Sequence, residues 1–113
     1  MEAELSKNLI RGHTDAIVLN RLNQGDSYGY RIAQDIATMT DNQYTINEAT
    51  LYAVFRRLGK AGLVESYYGD ETQGARRKYY TLTSAGQERL KAEQQAWQFT
   101  RQMLDILMRD TNE

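Results

Sequence analysis

Six of the chain's 14 lysines and arginines fall between residues 47 and 82: Arg56, Arg57, Lys60, Arg76, Arg77 and Lys78. They form two clusters. In the first, Arg56 and Lys60 share a helical face with Tyr52, behind Asn47, Glu48 and Thr50. Arginine and asparagine side chains can bond bidentately to base edges, and threonine or tyrosine hydroxyls can hold phosphates. In the second, Arg76-Arg77-Lys78 runs directly into Tyr79-Tyr80. Consecutive strand residues point to opposite faces, so cations would emerge on both sides of such an arm, placed to track a phosphate backbone or enter a minor groove. Each cluster alone has a plainer reading, as a solvated helix face or as an edge strand guarded by charge. Asp70 and Glu71 between the clusters oppose DNA at that point. Together, a basic helix face and a basic arm favour duplex DNA as the partner.

The net charge is −1, but it is unevenly spread: −2 over residues 1–46, +2 over 47–82 and −1 over 83–113. A locally basic face on a near-neutral chain binds non-specific DNA weakly and with strong salt dependence. Zero cysteines exclude disulfides, thiolate metal sites and a cysteine nucleophile. His13 is the sole histidine and has no ligand cluster near it in sequence. Neither paired catalytic carboxylates nor a phosphate-binding glycine loop is legible. The expectation is therefore no enzyme, no metal and no cofactor. No apolar run approaches the roughly 20 residues of a membrane span, and MEAELSKNLI does not resemble a signal peptide. These features suit a cytoplasmic protein.

The elements that would position these residues follow from period and capping. Leu5, Leu9, Ile10, Ile17, Val18 and Leu22 predict one helix over 5–24, closed by Gly25. Asp26 and Ser27 are N-cap types for a helix near 28–39, with Tyr28, Ile32, Ile36 and Met39 as its apolar face. A polar turn, Thr40 to Gln43, leads to Asn47, which caps a third helix over 48–60 with Leu51, Val54, Phe55 and Leu58 inward. The period then changes to two aromatic and β-branched runs, Val64–Tyr68 and Lys78–Leu82, joined by a glycine-bracketed loop. Thr83 or Ser84 caps a last helix reaching about residue 109, and Ser84 with Gln87 fits a capping box.

Three helices, a hairpin and a long helix make a mainly α winged helix-turn-helix: residues 1–82 form the DNA-binding unit, and 83–113 a dimerisation helix packed with the first. Leu90, Trp97 and Leu104 recur every seven residues on that last helix, thickened by Ala96, Met103 and Leu107. Such a stripe needs a partner, and a homodimer is expected. Trp97, the single tryptophan, either fills the core or seam, or lines a site for a flat aromatic ligand. A winged-helix protein-interaction module without a specific operator remains an alternative.

Three motifs in order then resemble a known family. Ser27-Tyr28-Gly29-Tyr30-Arg31-Ile32, the pair Asn47–Tyr52 and Arg57–Val64, and Gly74–Tyr80 with Leu82-Thr83 and Gly86 are similar to the signatures of PadR-like transcriptional regulators. The single short C-terminal helix resembles the small subtype, and NEATLY, GDETQGARRKYY and the helix tryptophan resemble its LmrR-like multidrug-binding repressors. That resemblance implies a homodimeric repressor of an exporter operon or of its own gene, bound to an inverted repeat. It implies that Trp97 and Asn20 line a central drug site, with Ala16, Leu90, Gln94 and Arg101 at further pore-facing positions that differ from the best-matching member. Arg101 would disfavour cationic ligands, leaving ligand charge open. Gly59, where glutamate is usual, costs about 1 kcal/mol of helix propensity.

Overall fold

The computed structural model describes residues 2–69 and 77–110. Its elements run α1 (Glu2–Arg11), α2 (Thr14–Asn23), α3 (Gly29–Met39), α4 (Glu48–Lys60), β1 (Val64–Tyr68), β2 (Lys78–Leu82) and α5 (Ser84–Leu107). The third expected helix, which is α4, and both strands have the bounds expected from sequence. The first expected helix does not run unbroken: it divides at Gly12-His13. The Thr14 hydroxyl donates to the Arg11 carbonyl at 2.6 Å, and the His13 N–H to the Ile10 carbonyl at 2.8 Å. A threonine offering the chain a local alternative beside a glycine ends one helix, and α2 starts afresh.

Caps explain most of the other boundaries. The Asn47 side chain accepts from the Thr50 N–H at 2.8 Å and starts α4, with Glu48 favourably placed in the first turn. The last helix is capped by Thr83, whose hydroxyl accepts from the Gly86 N–H at 3.0 Å, so the Ser84–Gln87 capping box does not form. At α3 the expected caps Asp26 and Ser27 serve elsewhere. Tyr28 occupies the N-cap without a side-chain bond, Asp26 accepts from the Tyr67 hydroxyl, and Ser27 joins the sheet. The turn after α3 places Asp41 (φ 52°) and Asn42 (φ 63°) in left-handed backbone, which short polar side chains tolerate.

The two strands pair antiparallel, from Val64 opposite Leu82 to Tyr68 opposite Lys78. Ser27 exchanges backbone bonds with Tyr80 (3.2 and 2.8 Å), so a third short edge ties the hairpin to the entrance of α3. The core lies where α2, α3, α4 and the hairpin converge. Val18, Leu19, Ile32, Leu51 and Phe55 are its most deeply buried members. The Phe55 and Tyr80 rings stack face to face, 3.8 Å between centroids and 9° between planes. Met39, expected on the inner face of α3, is 63% exposed because the helix end overshoots the core.

The long helix α5 touches this core near its start, through buried Leu90, and then continues beyond it. The molecule measures 62 × 30 × 20 Å, and its far parts carry uncovered apolar side chains. Leu5 and Leu9 on α1, and Phe99, Leu104, Ile106 and Leu107 on α5, are all about half exposed or more. Near the start of α5, Gly86 lies against the backbone of Leu63, the residue just before β1. A Cβ there would overlap the Leu63 carbonyl oxygen and come within 2.7 Å of Leu82 Cδ1. At Gly59 a Cβ meets nothing within 4 Å. Gly86→Ala is therefore expected to destabilise the fold by about 3 kcal/mol, whereas Gly59→Ala should stabilise it by about 0.5–1 kcal/mol. Urea-unfolding midpoints of the two variants check both signs.

Candidate nucleic-acid interface

The antiparallel register decides where the wing's cations go. Lys78 and Tyr80 share the sheet face that packs on α4, while Arg77 and Tyr79 belong to the other. On the α4 side, Tyr52, Arg56, Gly59 and Lys60 of the helix face Ser66, Lys78 and Tyr80 of the hairpin across a cleft of about 410 Å³. The Lys78 ammonium lies 5.9 Å from the Tyr80 ring centroid. On the other side, the Arg77 guanidinium sits 4.6 Å over the Tyr28 ring. Tyr28 meets Tyr79 edge-on at 5.2 Å, and Tyr79 stacks on Tyr67 at 5.7 Å. A ladder of rings thus braces the wing against the start of α3. The Tyr67 hydroxyl donates to Asp26, which raises its pKa above the usual tyrosine value.

Of the nine residues expected to meet DNA, the structure places eight; Arg76, like the acidic loop residues Asp70 and Glu71, lies outside the described residues. Glu48, Thr50, Tyr52, Arg56 and Lys60 are exposed on α4. Asn47 is also exposed, but its Oδ1 is engaged in the cap, and the same atom would serve a bidentate adenine contact. Tyr52 leans over Gly29, whose absent side chain leaves room for the ring: a Cβ would stand 3.3 Å from Tyr52 Cε1. Arg57 belongs to a different interaction. It pairs with Asp15 of α2, which raises its already high pKa through the hydrogen bond and the charge. Arg21 of α2 likewise pairs with Asp35 of α3 at 3.1 Å. Two ion pairs therefore tie α2 to α3 and α4, the two helices of the helix-turn-helix.

The opposite face of α2 lines a second concavity, against α5. Its walls, His13, Ala16, Ile17 and Asn20 from one side and Leu90, Glu93, Gln94 and Trp97 from the other, enclose about 300 Å³. Trp97 is 44% exposed, and His13 meets it edge-on at 5.1 Å. The Gln94 amide donates to Asn20 Oδ1 at 3.3 Å. Five of the six residues expected around a ligand, Ala16, Asn20, Leu90, Gln94 and Trp97, are brought together here. Arg101, exposed further along α5, is not among the lining residues. The charged wall is instead Glu93, whose carboxylate accepts from Arg89 at 2.9 Å. His13, Ile17 and Glu93 were not expected. The spacing 13, 16, 17, 20 was the available signal, since it describes one helical face. Among the described residues, no group of three or more His, Asp or Glu side chains is placed to hold a metal ion.

A recognition helix presented beside a braced, basic β-hairpin defines a winged-helix DNA-binding protein. The model of the PadR-like transcriptional regulator family matches residues 18–92, and the chain belongs to that family. A transcriptional regulator from Clostridium thermocellum is similar in structure, with a TM-score of 0.82 and 42% identity over 90% of this chain and 96% of that one. A PadR family regulator from Eggerthella lenta reaches a TM-score of 0.84 at 28% identity, covering 96% of this chain and 92% of its own. A Lysinibacillus sphaericus protein, "Uncharacterized protein X", is 45% identical over 89% of this chain and 93% of its own. The chain is thus a DNA-binding transcriptional regulator. Because the Asn47 side chain caps α4, Asn47→Ala should lose about 1 kcal/mol of stability. Asn47→Asp, which keeps a capping oxygen, should lose almost none in thermal melts.

Proposed function

We propose that this regulator is a ligand-responsive repressor that binds an inverted-repeat operator as a two-fold homodimer in the cytoplasm, controlling an exporter operon or its own gene. The cavity between α2 and α5 carries the reading. It brings a half-exposed indole, an imidazole edge and an amide pair to one concave surface, a lining suited to a flat aromatic compound. Its volume is at the low end for a drug-sized ligand, and a second copy facing it would enlarge it. The uncovered apolar side chains of α1 and α5 supply the surface for that copy. Two recognition helices about 34 Å apart would meet successive major grooves of a palindrome.

The mechanism is a shift of population. DNA prefers one spacing of the two α4 helices, and a ligand wedged beside Trp97 prefers another. Induction is then the difference in ligand affinity between the two states. Since α2 lines the cavity and is ion-paired to α3 and α4, displacement of α2 is the physical link. With Glu93 in the cavity wall and Arg101 outside it, cationic compounds are the better class.

Trp97 fluorescence reports directly on this site. Flat aromatic cations should quench it saturably, anions of similar shape more weakly, and both less when the protein is saturated with a duplex selected from a random library. Equal affinity with and without DNA would exclude ligand-driven release. Absence of quenching by either class would remove the effector from the reading and leave a DNA-binding regulator with Trp97 as a packing residue.

A further inference from the structure

We propose that Glu93 carries the effector signal to α4 by exchanging ion-pair partners, with Arg89, Asp15 and Arg57 as the other members of the exchange. The inference rests on the ligand-responsive reading above and names the groups through which that response would run. A concavity of about 380 Å³ lies where α2, α4 and the early part of α5 face one another. It shares Ala16 and Glu93 with the Trp97 cavity, so these two residues separate the effector site from a concavity that reaches α4. Asp15, Arg57 and Arg89 line it as well, as does Thr50 from the first turn of α4. Arg11, the third cation of the lining, donates to Asn8 Oδ1 at 2.6 Å.

The two ion pairs in this concavity differ in what they hold. Arg57 on α4 pairs with Asp15 on α2 and fixes one helix against the other. Arg89 pairs with Glu93 at 2.9 Å, one turn along the same helix, and fixes no element to another. Both pairs are part-exposed, with the arginine side chains 57% and 51% open to solvent, and pairs of this kind are close enough in free energy to exchange partners. A guanidinium fork suits either carboxylate. Glu93 is therefore met by Arg89 on one side and by an effector on the other. A cation stacked beside Trp97 would neutralise Glu93 and repel Arg89. The other carboxylate in the concavity is Asp15, where Arg89 would compete with Arg57 and loosen α4 from α2. By linkage, DNA that prefers the pose held by Asp15 and Arg57 weakens binding of the cation. A neutral compound of the same shape would fill the cavity without moving either pair.

The test uses the full-length protein with N-methylquinolinium as a flat aromatic cation and methylnaphthalene as its uncharged isostere. Trp97 fluorescence reads binding of each probe, and anisotropy reads affinity for a labelled duplex selected from a random library. Saturating N-methylquinolinium should weaken duplex binding by the wild-type protein about fivefold, a coupling of ordinary size, and methylnaphthalene should not weaken it. Arg89→Gln should still bind the cation and, without it, bind the duplex as tightly as the wild type, yet lose the coupling. Glu93→Gln should bind N-methylquinolinium several-fold more weakly than the wild type and methylnaphthalene equally well, with both variants folded by circular dichroism. Full coupling in Arg89→Gln, or equal coupling by the neutral probe, would overturn the exchange and leave the ligand-responsive reading standing. Saturable quenching of wild-type Trp97 with no change in duplex affinity would overturn both.

Discussion

Phe55 and Tyr80 lie face to face at 3.8 Å, and the arrangement of the whole surface formed by α4 and the hairpin follows from that contact. Phe55 belongs to α4 and Tyr80 to the second strand of the hairpin beside it. Neither ring can move far without opening a void in a close-packed core, so helix and arm hold one relative pose. The backbone of Tyr80 adds a second constraint, because it pairs both with Ser66 across the hairpin and with Ser27 at the entrance of α3. One residue thereby fixes the wing to α4 through its ring and to α3 through its peptide groups. The cations on the surface inherit this rigidity. Lys78 is held toward α4 and Arg77 toward Tyr28 because they are neighbours on a strand whose next residues are already locked.

Much of the fold was legible in the sequence because local signals agreed with tertiary packing. Asn47, followed by an apolar period ending near Gly62, left one reading for α4, and the structure has the same bounds. The two strands were equally clear, since their aromatic and β-branched runs are bounded by glycine-containing loops. The division of the first helix was not legible. Leu9, Ile10 and Ile17 continue a helical period across Gly12-His13, and the break depends on the Thr14 hydroxyl turning back to Arg11, which periodicity does not register. The entry to α3 misled for a related reason. Asp26 and Ser27 have capping chemistry, but Tyr67 and Tyr80 engage them first, and those partners lie far along the chain.

The functional surfaces divide in the same way. The exposed residues of α4 could be read from helical spacing alone. That Arg57 departs from its neighbours Arg56 and Lys60 could not, because its partner Asp15 stands on another helix. The α2–α5 cavity was anticipated through resemblance, and its chemistry was only partly foreseen. A lone histidine carries no sequence signal of its own, and the significance of His13 comes from meeting Trp97 across two elements. Glu93 sat among glutamines on a polar stretch of helix, with nothing to mark it as the charged wall in place of Arg101.

The cleft beside the wing and the cavity beside Trp97 have no lining residue in common. Substitutions in one can therefore accumulate without rewriting the other, and effects of changes at such separate sites tend to add. For an evolving lineage, this permits drift in one concavity while the other stays constant. For a designer, it makes the protein a chassis whose α2–α5 cavity can be edited while the cleft beside the hairpin is kept, provided the ion pairs that connect α2 to α3 and α4 are left in place.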